Sequence, residues 1–219
     1  MHRLIMTSNT YRQTSKVTPR HEQLDPGNRL LARMPLRRME AEELRDSLLW
    51  VAGQLDENRF GPAEAVTVRT NGLVLSGKRR SVYVQHLRKR PPSLLESFDL
   101  PVMNPNCLQR SESLVAPQAL HLLNDTAVRE LAAQFADRVL QFAGAEPAQQ
   151  VQRVYWVALS RRPNAQEQQV CRQMLRELTR QWTKTSPITG KPSETEAARK
   201  ALTTLCHTVM NSAAFLYID

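Results

Sequence analysis

The side chains able to do chemistry are few and scattered along the chain. Its five histidines, His2, His21, His86, His121 and His207, never stand in an HxxxH or HExxH pattern, so no helix face offers a two-histidine zinc site. Serines are plentiful, but no GxSxG places one on a nucleophile elbow. Cys107, Cys171 and Cys206 lie far apart and form neither a CxxC nor a zinc-ligand spacing. Cys206-His207 resembles half of a haem-attachment motif, but position 203 is Thr, so the second thioether is missing. None of the seven glycines builds a phosphate-cradling loop, and no metal or cofactor is expected.

Two groups of residues remain. Asp99, Asn104, Asn106, Cys107, Arg110 and Ser113 crowd one Pro/Asn-rich connection. Their plainest role is turn chemistry, with Asn and Asp bonding nearby backbone and Arg110 tied to a carboxylate such as Asp99. The second group is GKRRSVYVQHLRKR, residues 77–90, where Arg79, Arg80, Arg88, Lys89 and Arg90 surround Tyr83 and His86. Cations interleaved with stacking rings suit nucleic acid or another polyanion. One tyrosine, without an RRM, KH or helix-turn-helix signature, makes nucleic acid the lesser expectation for the zone 78–90. Arg79, Arg80, Tyr83, Asp99 and Arg110 are therefore the candidate ligand-binding residues, for a carbohydrate or other anionic ligand, and no catalytic residue is assigned.

The net charge of +9 comes in blocks. Residues 1–38 carry +6, 39–64 carry −5, 65–95 carry +7 without an acidic residue, and 96–219 carry +1. Basic blocks attract anionic partners, and they also suit a solvated arginine-rich surface. No apolar run approaches the roughly 20 residues of a membrane span, and no signal-peptide pattern opens the chain.

Periodicity supplies the elements that position these groups. Residues 1–14 read as the end of a helix running into a turn, and 15–27, with two prolines, as a loop. A short helix is expected before Pro35. Ala41, Leu44, Leu48, Val51 and Leu55 then make a clear helical stripe behind the acidic first turn Glu40, Glu42 and Glu43. Between 56 and 92, β-branched residues predict strands at Thr67–Arg69 and Ser81–Gln85, pairing about the Asn71-Gly72 turn signal. Helices then run to the end. Pro117 opens one, and Asp125 caps the next, with Val128, Leu131, Phe135, Val139 and Phe142 inward and Gly144 as its stop. Pro147 opens a third, with Val151, Val154, Tyr155 and Ala158 inward. Asn164/Glu167 and Ser193/Glu196 start the last two, with stripes Val170, Met174, Leu178 and Ala198, Leu202, Leu205, Val209. The expected fold is mainly α, a helical bundle over 116–219 with a small β-hairpin-like insertion in 1–115, the whole forming one continuous domain.

Six fragments carry a family resemblance: HRLIMTSNTYRQ, NRLLARMPLRRMEAEELRDSLLWVAGQLD, KRRSVYV, FDLPVMNPNC, VAPQALHLLND and LCHTVMNSAAFLYID. Their order and spacing resemble the domain of unknown function numbered 1553, found at the C-terminal end of large planctomycete-type proteins. The resemblance implies an exported cell-envelope parent in which this domain follows another domain of unknown function, often with a cytochrome-c-like domain. It implies no established activity and transfers no haem ligand. The family domain begins well before a residue equivalent to Met1, so the chain resembles about the C-terminal two-thirds of it. That implies a truncated product with Leu4, Ile5 and Met6 left uncovered and an upstream domain as partner. Ser113-Leu114 also departs from the Ser-Thr pair expected there. The expected function is a non-catalytic structural or interaction module, with ligand binding at the Arg79–Tyr83 and Asp99–Arg110 loops as the alternative.

Overall fold

A computed structural model describes residues 1–68, 74–87, 89–101, 107, 110, 113, 115–184 and 193–218. The chain divides into two compact units, Met1–Met39 with Leu216–Asp219, and Glu40–Phe215.

In the first unit, α1 (His2–Met6) is a single exposed turn on which Leu4, Ile5 and Met6 face solvent. Residues 15–27, expected as a loop, contain a short helix, α2 (Pro19–Leu24). Thr18 caps it by accepting from the His21 N–H at 3.3 Å, and Pro19 opens it without wasting a donor. The helix expected before Pro35 does not form. Side chains compete for its backbone: the Asp25 carboxylate accepts from the Arg29 and Leu30 N–H groups at 2.8 and 2.7 Å. Asn28 bonds the Arg33 backbone in both directions, and Asn28 and Leu31 adopt left-handed φ of 50° and 52°. Beyond Pro35 comes β1 (Arg37–Arg38), paired antiparallel with the chain's last strand, Tyr217–Ile218. This is a second β pairing that the sequence did not announce.

The second unit opens with α3 (Ala41–Val51), where the Glu40 N–H donates to the Glu43 carboxylate at 3.0 Å. Its stripe Ala41, Leu44, Leu48 and Val51 is buried as expected, while Leu55 lies beyond the helix, half-buried. Its C-terminal carbonyls are closed by Arg138, which donates to Trp50 O and Val51 O at 2.6 and 3.0 Å. The chain leaves through Gly53, whose φ of +69° suits glycine.

The expected hairpin forms with different partners. Strand β2 (Thr67–Val68) pairs with β3 (Val74–Leu75), whereas Ser81–Tyr83 is a 3₁₀ turn. Arg69, Asn71 and Gly72 lie outside the described residues. The strand Tyr217–Ile218 is β4.

Beyond α4 (Ser93–Ser97) comes the bundle: α5 (Ala116–Asn124), α6 (Thr126–Ala143), α7 (Pro147–Leu159), α8 (Ala165–Lys184) and α9 (Glu194–Met210), followed by the single turn α10 (Ala213–Leu216). Helix α9 packs on α6, α7 and α8. Ala132 and Ala136 of α6 and Ala197 and Ala201 of α9 are all fully buried, so small side chains let the two backbones approach. Phe135, Val139, Val151, Val154, Leu202 and Leu205 fill the space around them. The starts are those the sequence indicated. Asp125 caps α6 through Ala127 N and Val128 N, Glu146 and Pro147 open α7, and Asn164 and Glu167 exchange reciprocal bonds of 2.8 Å. Ser193 caps α9 through Glu196 N at 3.2 Å.

Helix phase is where expectation and structure part. On α8 the buried pair is Cys171 and Leu175, one residue on from the expected Val170 and Met174, and Val170 faces solvent. The helix is mostly polar, so two apolar rows compete, and the small Cys171 wins by fitting beside Tyr155, 3.7 Å from its hydroxyl. Leu131 and Leu178 are half-buried and Ala198 is exposed. Phe142 is exposed too, with the Arg153 guanidinium 4.8 Å from its ring centre.

Candidate functional site

The site region is organised by a residue that the sequence reading passed over. Helical spacing puts Arg45 on the same face as Ala41, Leu44 and Leu48, and it is buried with them. A guanidinium cannot shed its charge, so its donors must be matched. The strand-like loop 76–81 matches them. Arg45 Nε donates to Ser76 Oγ at 2.6 Å, Nη2 to Gly77 O at 2.5 Å, and Nη1 to Arg79 O and Ser81 Oγ at 2.8 and 3.1 Å. Burial lowers the pKa of Arg45, and the charges of Asp46 and Glu64 oppose that shift. The next residue completes the tie: Asp46 accepts from Ser81 N and Oγ at 2.8 and 2.7 Å. Taking both the N–H and the hydroxyl of Ser81, Asp46 holds this segment as a turn rather than the strand expected at 81–85.

Glu64 secures the other edge of the loop, accepting from Lys78 N and Arg79 N at 3.2 and 3.0 Å. Its carboxylate lies so close over Gly77 that a Cβ there would collide with it. Single parallel bridges pair Asp56 with Arg79 and Glu64 with Val84.

On this frame the Arg79 guanidinium is engaged inside the molecule. It donates to the carbonyls of Asn58, Phe60 and Pro62 at 3.1, 2.6 and 2.9 Å and lies 4.5 Å from the Tyr83 ring centre. It thereby holds a bulge in which Phe60 has a φ of +66° and is 80% exposed. Arg80 is the outward-facing member, 3.5 Å from Asp46, beside a shallow cavity of about 280 Å³ lined by Trp50, Leu55 and Glu57.

The second candidate group behaves likewise. Arg110 does not pair with Asp99, as expected, but forks onto Glu42 with two bonds of 2.9 Å and reaches Glu40 at 3.1 Å. The bonds from Arg110 hold the Glu42 carboxyl below its ordinary range, and Glu42 in turn raises Arg110. Asp99, at a φ of +65°, accepts from Ser113 Oγ and N at 2.7 and 2.9 Å and from Gln118 Nε2 at 3.3 Å. These bonds join residues 14 and 19 positions apart, so Asp99 clasps the two ends of the connection instead of making the local turn expected of it. Cys107 is exposed, and Asn104 and Asn106 lie outside the described residues. Arg80 and Arg110 thus meet carboxylates at the first half of α3, Arg79 is held by the 58–62 bulge, and Asp99 belongs to a separate cluster.

A serine, a histidine and an aspartate do meet elsewhere. His121 Nδ1 is 2.9 Å from Ser97 Oγ, and its Nε2 is 3.4 Å from Asp125 Oδ2. Asp125 is the cap of α6 and Ser97 Oγ also donates to Ser93 O at 2.9 Å, so the trio knits α4, α5 and α6 at one corner. The His121 contact, with the two capping N–H groups, holds the Asp125 carboxyl below its ordinary range. His207 bonds the Leu122 carbonyl at 3.0 Å. A pocket of about 290 Å³, also unforeseen, lies between α3 and α6, with Leu48, Leu49, Leu94, Val128 and Leu131 inside and Lys78 at one wall. No group of three or more His, Cys, Asp or Glu among the described residues is placed to hold a metal ion, and no described helix is long and apolar enough to cross a membrane.

These features define a mainly helical domain with a small β insertion whose charged loops are tied to its own helices. Residues 1–175 match the model of the PSD1 family, described as a protein of unknown function (DUF1553), and the chain belongs to that family. No curated protein and no solved structure matches it.

Proposed function

We propose that the chain is a non-catalytic structural or interaction module, acting beside an upstream domain of a larger cell-envelope protein. The carrying observation is that its candidate ligand-binding charges already have partners on the same chain. Three carbonyls hold Arg79, two carboxylates hold Arg110, and Ser113 and Gln118 hold Asp99. A site for an anionic ligand would instead leave such groups converging on an open pocket. The envelope setting and the upstream partner rest on the family resemblance.

The test is a titration of polyanions, acidic glycans and single-stranded nucleic acid at low and moderate salt, with wild type and Arg79→Ala/Arg80→Ala. Equal, weak and salt-sensitive binding by both proteins is expected, since exposed charge is screened over roughly 8–10 Å. A saturable, ligand-selective loss in the double variant would overturn the proposal and make this loop a binding surface.

A further inference from the structure

Away from the α3 loop, the bundle carries a groove of about 980 Å³ where the end of α6, the start of α7, the middle of α8 and the first turn of α9 meet. Its floor is apolar, with Leu140, Pro147 and the buried Leu175. Its rim is charged, and the state of those charges decides what it can hold. Arg199 is engaged by Asp137, through bonds of 2.5 and 2.7 Å, and Glu196 by Lys200 at 3.2 Å. Arg176 and Arg180 stand one helical turn apart on the α8 rim, and among the described residues neither has a carboxylate within ion-pair distance. Like charges at this spacing oppose helix formation, and a shared anion relieves that repulsion. Glu194, on the α9 rim, places an incoming negative group on the α8 side.

We propose that this groove binds a single-chain amphipathic carboxylate, its acidic head group held by Arg176 and Arg180 and its tail laid over Leu140, Pro147 and Leu175. Guanidinium forks match carboxylate geometry, and an apolar floor of this size takes a ligand that a purely electrostatic surface would not retain. The site is independent of the 76–81 loop, so it stands or falls separately from the proposed function.

The test is calorimetric titration with dodecanoate, dodecyltrimethylammonium and dodecyl maltoside, each below its micellar concentration. The proteins are wild type, Arg176→Gln/Arg180→Gln and a charge-matched control, Arg59→Gln/Lys89→Gln. Thermal melts of each protein report that it is folded. Saturable 1:1 binding of dodecanoate is expected, at least about tenfold tighter than the cationic and neutral analogues. The Arg176/Arg180 variant should lose that preference and the control should keep it. Equal binding of the three amphiphiles, an equal loss in both variants, or no saturable binding of dodecanoate would each overturn the proposal.

Discussion

Arg45 illustrates how one buried cation can organise a surface. Five polar atoms of the 76–81 loop and Asp46 converge on its guanidinium, so truncation would strand acceptors rather than merely remove a contact. Arg45→Ala is expected to lower the unfolding free energy by about 3 kcal/mol in urea denaturation. A loss below about 0.5 kcal/mol would mean that the loop is held by something else. A double-mutant cycle tests the contact between Gly77 and Glu64. Gly77→Ala should destabilise by driving the Glu64 carboxylate off the Lys78 and Arg79 N–H groups, and Gly77→Ala should cost less in a Glu64→Ala background. Strict additivity would show that the two residues do not touch. In the sequence, the signal for Arg45 was its place at i+4 from Ala41 and i−3 from Leu48, a charge inside an apolar stripe. The stripe was legible; the charge riding on it was passed over because its acceptors lie about 30 residues downstream.

At the scale of elements, helix starts were legible because capping is local. Asp125, Pro147, Asn164 and Ser193 each act within a few residues of themselves. Helix phase and strand pairing depend on distant neighbours, and there the structure departs from local pattern, at Cys171 in place of Val170 and at the turn over Ser81–Tyr83. Asp125→Ala should cost about 1 kcal/mol, within the usual range for a cap. The variant should also respond differently to acid. The folded-state pKa of Asp125 is depressed, so its contribution is fully present above the unfolded value of roughly 3.9 and is lost as pH falls through the lower folded value. The stability gap between wild type and Asp125→Ala should therefore shrink in urea melts as pH falls from 6 to 2.5. A gap that widens would contradict the assigned sign. In the core, Phe135→Ala should cost about 3–5 kcal/mol and exceed Leu131→Ala, because Phe135 is fully buried and Leu131 only half so.

For the whole molecule, the charge blocks acquire a meaning that the net charge hides. In the acidic segment 39–64, Asp46 meets Arg80 and Glu40 and Glu42 meet Arg110, while Glu64 accepts backbone N–H groups from Lys78 and Arg79. Among the described residues, one ion pair, Arg80 to Asp46, joins the basic block 65–95 to the acidic block, while the Arg79 guanidinium is spent on backbone carbonyls. Mainly helical class and family were legible, since both rest on local pattern and fragment order. Which carboxylate meets which cation was not, because Arg110 and Glu42 are 68 residues apart. The most direct measurement pairs stability and binding on one protein. Arg79→Ala should lower the unfolding free energy by about 1 kcal/mol, through loss of three hydrogen bonds to the 58–62 bulge, while leaving polyanion affinity as in wild type. Unchanged stability with a selective loss of polyanion binding would contradict the account, because it would mean that Arg79 serves a ligand and not its own chain.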